Sequence, residues 1–401
     1  MSIKIITFTP KIPVQTKLHI ITPCAVLSFG RLLVAAWGVF VYHEMNNYID
    51  ILEDKILKLD PEVLRRLLWD HSQDKFIDEK GCERHHHIYW ATDAYQKEGE
   101  GYGFFDEITI AAITGEHSLL IRPRAVKSKE EQEQRTRDKA EVFTPVWVCN
   151  AQNNLIDNAW FGKDDHEAGI FNDEYIDENG VHQWRPRESK IPFPTKDGKT
   201  WQDYVWDTRL EITCGEAPYL VSRYDTTTGE PITDLNKRIG MLDRKLRVVG
   251  ENVDNTEDWL YHAFCALKSC YGFEWQGDSL LLAREAILYT FKDYYDEFCR
   301  RIGKAQQISN RTLEKAAYII SWNLFQMDGI KFNLPCSGDR ESEILKTGNL
   351  FGDFDDQQEN TFSQIPPLAR KKVFAKVAQW QKKGEANKQV FEFRQLTSYH
   401  G

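Results

Sequence analysis

The stretch Leu210-Glu211-Ile212-Thr213-Cys214-Gly215-Glu216-Ala217-Pro218-Tyr219-Leu220 reads as an acidic strand end, a small-residue turn and the start of a helix. Gly215 has no Cβ, so the backbone there can approach a ligand closely. In an open α/β sheet such a ligand lies in the crevice outside the carboxyl ends of the strands. Upstream, Phe143-Thr144-Pro145 is a helix-opening set, with threonine as N-cap and proline at the first helical position. The free N–H groups of such a helix end suit the carboxylate of an amino-acid moiety. Downstream, a short apolar run from Cys270 ends in Glu274, where an acid binds ribose hydroxyls. Asp328 closes a further apolar run and stands on a turn, placed to accept from an adenine amino group. Each segment also has an ordinary reading: a plain helix start, a first-turn acid (a part that Asp278 fits better than Glu274), an Asp-Gly turn.

Chemistry at these residues requires strands that end together, with helices between them. The sequence predicts an α/β fold: a small mixed domain over 45–140, then a doubly wound sheet with helices on both faces over 141–335. Residues 46–72 carry apolar side chains at helical spacing, as a helical pair broken near Pro61. Ile108 to Ile113 reads as a strand. The stretches 163–200 and 225–257 are polar and read as insertions, whereas 259–330 is apolar and helical. The tail, 336–401, turns from acidic to basic near Arg370.

Composition narrows the function. The 401 residues include 12 Trp, 16 Tyr and 22 Phe, a content that favours order. A net charge of -10 excludes a polyanion binder over the whole surface, leaving DNA contact to a local face or a partner. The most basic stretch, 121–140, reads first as a solvated helix face with internal ion pairs. The 8 cysteines form no CxxC pair, which argues against a zinc knuckle and for the cytoplasm. His85, His86 and His87 alternate in direction along an extended chain, so they do not make a metal site by themselves. Residues 25–42 are apolar but interrupted by Arg31, and the run beyond that arginine is short for a membrane span. The change of texture at Met45 predicts that the natural product starts there and that 1–44 is an upstream extension.

Taken together, the four segments resemble DNA N6-adenine methyltransferases in which the cofactor half precedes the catalytic half. Phe143, Thr144 and Pro145 match that family's upstream cofactor motif, and Glu211 to Leu220 resembles its acid-Pro-x-Cys-Gly-x-Gly-x-Phe-Leu loop. Glu274 to Arg284 resembles its acid followed by Leu-Ala-Arg, and Asp328 its adenine-contacting aspartate. More narrowly, Glu141 to Asn154 and Leu210 to Asp225 are similar to chains called restriction endonuclease subunit M. The resemblance spans about 46–335. It implies a Rossmann-like core and S-adenosylmethionine as cofactor, held by Phe143, Thr144, Pro145, Glu211, Cys214, Gly215, Glu274 and Asp328. It further implies DNA as substrate and a separate specificity or restriction subunit, with no membrane involved.

Four departures set the alternatives. Ile212 replaces the loop's proline, Ala217 its second glycine, and the 225–257 excursion stretches the spacing from the loop to Glu274. The family's Asn/Asp-Pro-Pro-aromatic tetrapeptide does not follow Asp328, the nearest match being Ile365-Pro366-Pro367-Leu368. Ile365 has no acceptor for the adenine amino group and Leu368 no face on which a flipped base stacks. The competing reading is therefore a non-catalytic interaction protein on a decayed methyltransferase core. A nuclease built on Asp203, Asp207 and Glu211 has little support, because no acid-x-Lys strand accompanies them.

Overall fold

The computed structural model describes residues 52–127, 129, 131–133, 136, 144–164, 168–194, 199–335, 372–381 and 388–397. The stretch 1–44, Met45, Phe143 and Ile365 to Leu368 lie outside the described residues. Helices α1 (Glu53–Leu59) and α2 (Pro61–Leu68) form the expected pair. Asp60 breaks it by accepting from the Glu62 N–H at 2.8 Å, with Pro61 opening α2. The apolar stripe Val63, Leu64, Leu67 and Leu68 is fully buried, each side chain contributing about 1.5–3 kcal/mol of transfer free energy. A small ladder, β1 (Phe76–Ile77) with β2 (Glu83–Arg84), comes next.

Ile108 to Ile113 does not form the expected strand. Only Ile108 joins extended pairing, donating to the Ile88 carbonyl at 2.8 Å. Thr109 then caps a single turn, Ile110–Ile113, by accepting from Ala112 N–H at 3.2 Å. A local threonine cap outweighs the β-branched pattern here.

Helix α3 (Val146–Phe161) leads to the hairpin β3 (Asn172–Ile176) and β4 (His182–Pro186), then to the short helix α4 (Trp201–Trp206). Strand β5 (Arg209–Ile212) is followed by α5 (Met241–Asn252) and α6 (Thr256–Lys268). Strand β6 (Cys270–Glu274) is followed by α7 (Gly277–Arg301) and α8 (Asn310–Asn323), and β7 (Leu324–Gln326) completes a parallel sheet in the order β5-β6-β7. Helix α5 corrects the reading of 225–257 as an excursion outside the core. Leu242, Leu246, Val248 and Val249 are fully buried, as are Asp243 and Lys245. The charged residues that made the stretch look like surface turn inward to partners. Lys245 donates to Ser269 Oγ at 2.6 Å, and Asp243 accepts from Ser222 N–H at 2.9 Å.

One face of the sheet lies against the helices in the main core, which includes Cys214, Leu220, Cys270 and Leu324. The other presents Leu210, Tyr271, Phe273, Phe325 and Met327, packed on Ala375, Val377 and Phe393. Ala375 directly precedes and Val377 lies in β8 (Lys376–Trp380), which pairs with β9 (Lys388–Glu392) as a C-terminal hairpin, and Phe393 opens helix α9 (Phe393–Thr397). Among the described residues, then, a hairpin and a short helix close the second face where helices were expected. What stands is a mixed α/β protein with a three-stranded parallel sheet.

Beneath β5 lies a buried polar network. Asp157 of α3 accepts from Arg244 at 2.6 Å, from the Tyr204 hydroxyl at 2.9 Å and from Arg209 at 3.4 Å. Arg244 also donates to Asn150 at 2.9 Å. Ionic groups this deep persist only when hydrogen-bonded on several sides. They lock α3 and α5 to the start of β5.

Candidate functional site at the carboxyl end of the sheet

The parallel register sets Glu211 beside Gly272 and Glu274 beside Gln326, so β5, β6 and β7 end together. Cys214 N–H donates to the Phe273 carbonyl at 2.8 Å, and Met327 N–H to that of Glu274 at 3.0 Å. These bonds carry the turns after β5 and β7 onto the end of β6. Gly272 lies close beneath: a Cβ there would lie 3.1 Å from Cys214 Sγ, so the thiol would have to shift by a few tenths of an ångström. The turn has left-handed backbone at Thr213, Gly215 and Ala217, with φ of 49°, 52° and 61°. Ala217 thus keeps the conformation for which glycine is the easier residue, at the very position where the resembled loop has glycine.

Glu274 joins the parts. One carboxylate oxygen accepts from Gly215 N–H at 2.8 Å; the other accepts from Trp275 and Gln276 N–H at 2.9 and 3.2 Å. Burial raises its pKa, the three N–H groups pull it back, and Asp278 adds a smaller upward push. Glu211 is turned to its own loop and accepts from Tyr219 N–H at 3.2 Å and Leu220 N–H at 3.0 Å. Burial pushes Glu211 up to about 8 against those two donors, with Glu274 adding to the rise. Burial likewise holds the Cys214 thiol well above its usual range. Asp328, after β7, accepts from Ile330 and Lys331 N–H at 2.8 Å each, the local Asx turn that an Asp-Gly pair favours. Arg284 of the Leu-Ala-Arg run points away from this end. Its buried guanidinium donates to the carbonyls of Trp69, Ser321 and Leu324.

The helix opening at 144–145 differs from expectation. Pro145 is the N-cap and Val146 the first helical residue. Thr144 offers its carbonyl to the Thr226 hydroxyl at 3.2 Å and does not cap the helix. The Val146 N–H donates to Asp225 at 3.1 Å. A carboxylate does sit at this helix end, as its chemistry favours, and the chain itself supplies it. Helix α3 still reaches the site: Asn153 donates to the carbonyls of Tyr219 at 3.1 Å and Ile239 at 3.0 Å.

Sequence reading missed three contributors. Trp275, next to the strand-end acid, is partly buried and lies 6.4 Å from Phe104 between ring centroids. Its place directly after Glu274 was the available signal. Gln326 uses its amide like a strand residue, accepting from Tyr89 N–H at 2.8 Å and donating to the carbonyls of Tyr89 and Trp275 at 2.8 and 2.7 Å. Asp225 closes the helix end. No local signal marks these two, because their partners are remote in sequence.

Other sequence candidates have local partners. His86 meets Glu107 at 2.6 Å, His87 the Ile108 carbonyl at 2.8 Å, and His85 stacks on Trp69. Among the described residues no group of three or more His, Cys, Asp or Glu is arranged to hold a metal. Asp203 belongs to a capping box with Thr200, and Asp207 pairs with Arg209 at 3.0 Å. Lys127 of the basic stretch is buried and lies 3.7 Å from Asp278. No described helix is long and apolar enough to cross a membrane.

The fit to S-adenosylmethionine is therefore divided. Glu274 has one lone pair left for a ribose hydroxyl, on the oxygen that meets Gly215, the Gly215 turn allows close approach, and Trp275 adds an aromatic face. Asp225 at the start of α3 repels a ligand carboxylate from that helix end. Protein-family models, curated proteins and solved structures offer no match to this chain.

Proposed function

We propose that the chain is a methyltransferase-like subunit of a restriction–modification or related defence system. It binds S-adenosylmethionine at the carboxyl end of β5-β6-β7 and acts on DNA adenine N6 together with a specificity subunit, in the cytoplasm. One observation carries the reading: a strand-end carboxylate, Glu274, reaches across to the Gly215 N–H of the neighbouring turn, with Asp328 on the next strand end. In this reading Glu274 holds the ribose, Trp275 and Asp328 meet the adenine, and Cys214-Gly215 lets the backbone approach. The cofactor supplies an electrophilic methyl group. Thr144, Pro145 and Phe143 serve the methionine end only if Asp225 leaves the start of α3.

A specific observation favours the second reading, a binding protein on a non-catalytic core. Asp225 already fills the helix end, and both Glu211 oxygens are taken by the loop. Transfer of labelled methyl from S-adenosylmethionine to DNA by the chain, alone and with co-purified partners, separates the two. Label on adenine N6 supports the enzyme. No transfer in any combination, with no binding of the cofactor, would leave the scaffold.

A further inference from the structure

Lys388 opens β9 directly opposite Trp380 of β8, and Trp380 packs against both the main core and the cluster on the second sheet face. Helix α8 presents Tyr318 and Trp322 there, four residues apart and so on one face. The Lys388 Nζ lies 3.7 Å from the Trp322 ring centroid, 4.4 Å from that of Tyr318 and 5.4 Å from that of Trp380. It also donates to the Tyr318 hydroxyl.

The walls of this cage are fixed from behind. Trp380 Nε1 donates to Asn323 Oδ1 at 2.7 Å, and Asn323 donates to the carbonyls of Leu267 and Cys270. Trp322 stacks on His71 at 4.0 Å with planes 6° apart, and His71 bonds Ser321 at 2.9 Å. Burial holds His71 well below its usual range, so that ring brings no charge. Among the described residues Lys388 makes no ion pair with a carboxylate. Burial alone draws its ammonium down to about 8. Ring faces and one hydroxyl are what the cation has in exchange for water, and aromatic quadrupoles attract alkylammonium groups.

We propose that Tyr318, Trp322 and Trp380 form a binding site for an alkylammonium group, filled in cis by Lys388, and that this contact straps β9 to the body of the protein. The burial pattern explains why β9 needs it. The buried contacts with the second sheet face come from Ala375, Val377 and Phe393, with Trp380 packed against them, while β9 brings only the half-buried Phe391. Within β9, Gln389 and Val390 are exposed.

The test uses full-length Lys388→Ala and Lys388→Met, followed by backbone hydrogen exchange, with β5, β6 and β7 as internal controls for an intact fold. Lys388→Ala is expected to raise exchange in β9 by about tenfold while the sheet stays protected. Millimolar choline should quench the tryptophan fluorescence of Lys388→Ala saturably without restoring the protection, because it fills the cage but is not attached to β9. Its uncharged counterpart 3,3-dimethyl-1-butanol should not quench, and Trp322→Leu added to Lys388→Ala should abolish the choline response. Unchanged β9 exchange in Lys388→Met would overturn the proposal, because a neutral chain would then hold the strand equally well. Equal quenching by the alcohol would overturn it too, since the site would be reading shape and not charge.

Discussion

Glu211 is held by two N–H donors and nevertheless buried deeply enough that its acid form is favoured up to about pH 8, against an ordinary value of 4.5. The folded state binds this proton more tightly than the unfolded chain does. Its contribution to stability is therefore complete below about pH 4.5 and is lost as pH rises to about 8. Between pH 5 and 8.5 thermal unfolding of the protein should lose about 1–3 kcal/mol more than that of Glu211→Gln, which has no charge to bury. Parallel stability–pH profiles for the two would refute the assignment. Other residues at this end were readable for a local reason. Gly215, Glu274 and Asp328 each follow an apolar run and open a polar turn, a pattern confined to a few consecutive residues. Asp225 and Gln326 were not readable, since each meets segments remote in sequence, Val146 and Tyr89. The cap falls one position later than Thr144, because a threonine before proline looks like a cap whether or not the helix begins there.

At the scale of elements, the helices that position the strand ends rest on buried charge in two opposite conditions. Around Asp157 the charge is well partnered, by Arg244, Arg209 and Tyr204. Asp157→Ala leaves the Arg244 guanidinium without its carboxylate and should destabilise the protein by about 3–5 kcal/mol in urea titration, while Arg209 keeps Asp207. A loss below about 1 kcal/mol would mean that the network is dispensable. Glu285 of α7 is the contrary case. Its side chain is fully buried, neither oxygen has a hydrogen-bond partner among the described residues, and its acid form is stabilised by burial and by the nearby Glu53. Glu285→Met should therefore stabilise the protein by about 1–3 kcal/mol, the more so at alkaline pH. Destabilisation of that size would show that the carboxyl has a partner. The helical run 259–330 was legible because its apolar spacing is long and regular. Helix α5 was hidden, because Asp243, Arg244 and Lys245 read as surface and are core. The strand expected at Ile108 to Ile113 failed to form because a threonine cap acts over three residues, where β pairing needs a partner strand.

At the scale of the molecule, the parallel sheet divides two kinds of packing. Helices lie on one face; on the other, a hairpin and a short helix cover Leu210, Tyr271, Phe273 and Phe325. The apolar runs that end in Glu274 and Asp328 fit strands covered on both faces but carry no information about what covers them. The chain has a net charge of -10, and Lys127 of the basic stretch turns inward. A basic partner surface is accordingly part of the functional proposal. The central claim, that the ends of β5, β6 and β7 build a nucleoside-cofactor site around Glu274, is tested most directly by calorimetry. S-adenosylmethionine and S-adenosylhomocysteine are titrated into the folded protein and into Glu274→Ala. The account predicts micromolar binding of both ligands, about -8 kcal/mol, abolished in the variant while the fold is retained. No detectable heat from well-folded protein, or equal affinity in Glu274→Ala, would contradict it.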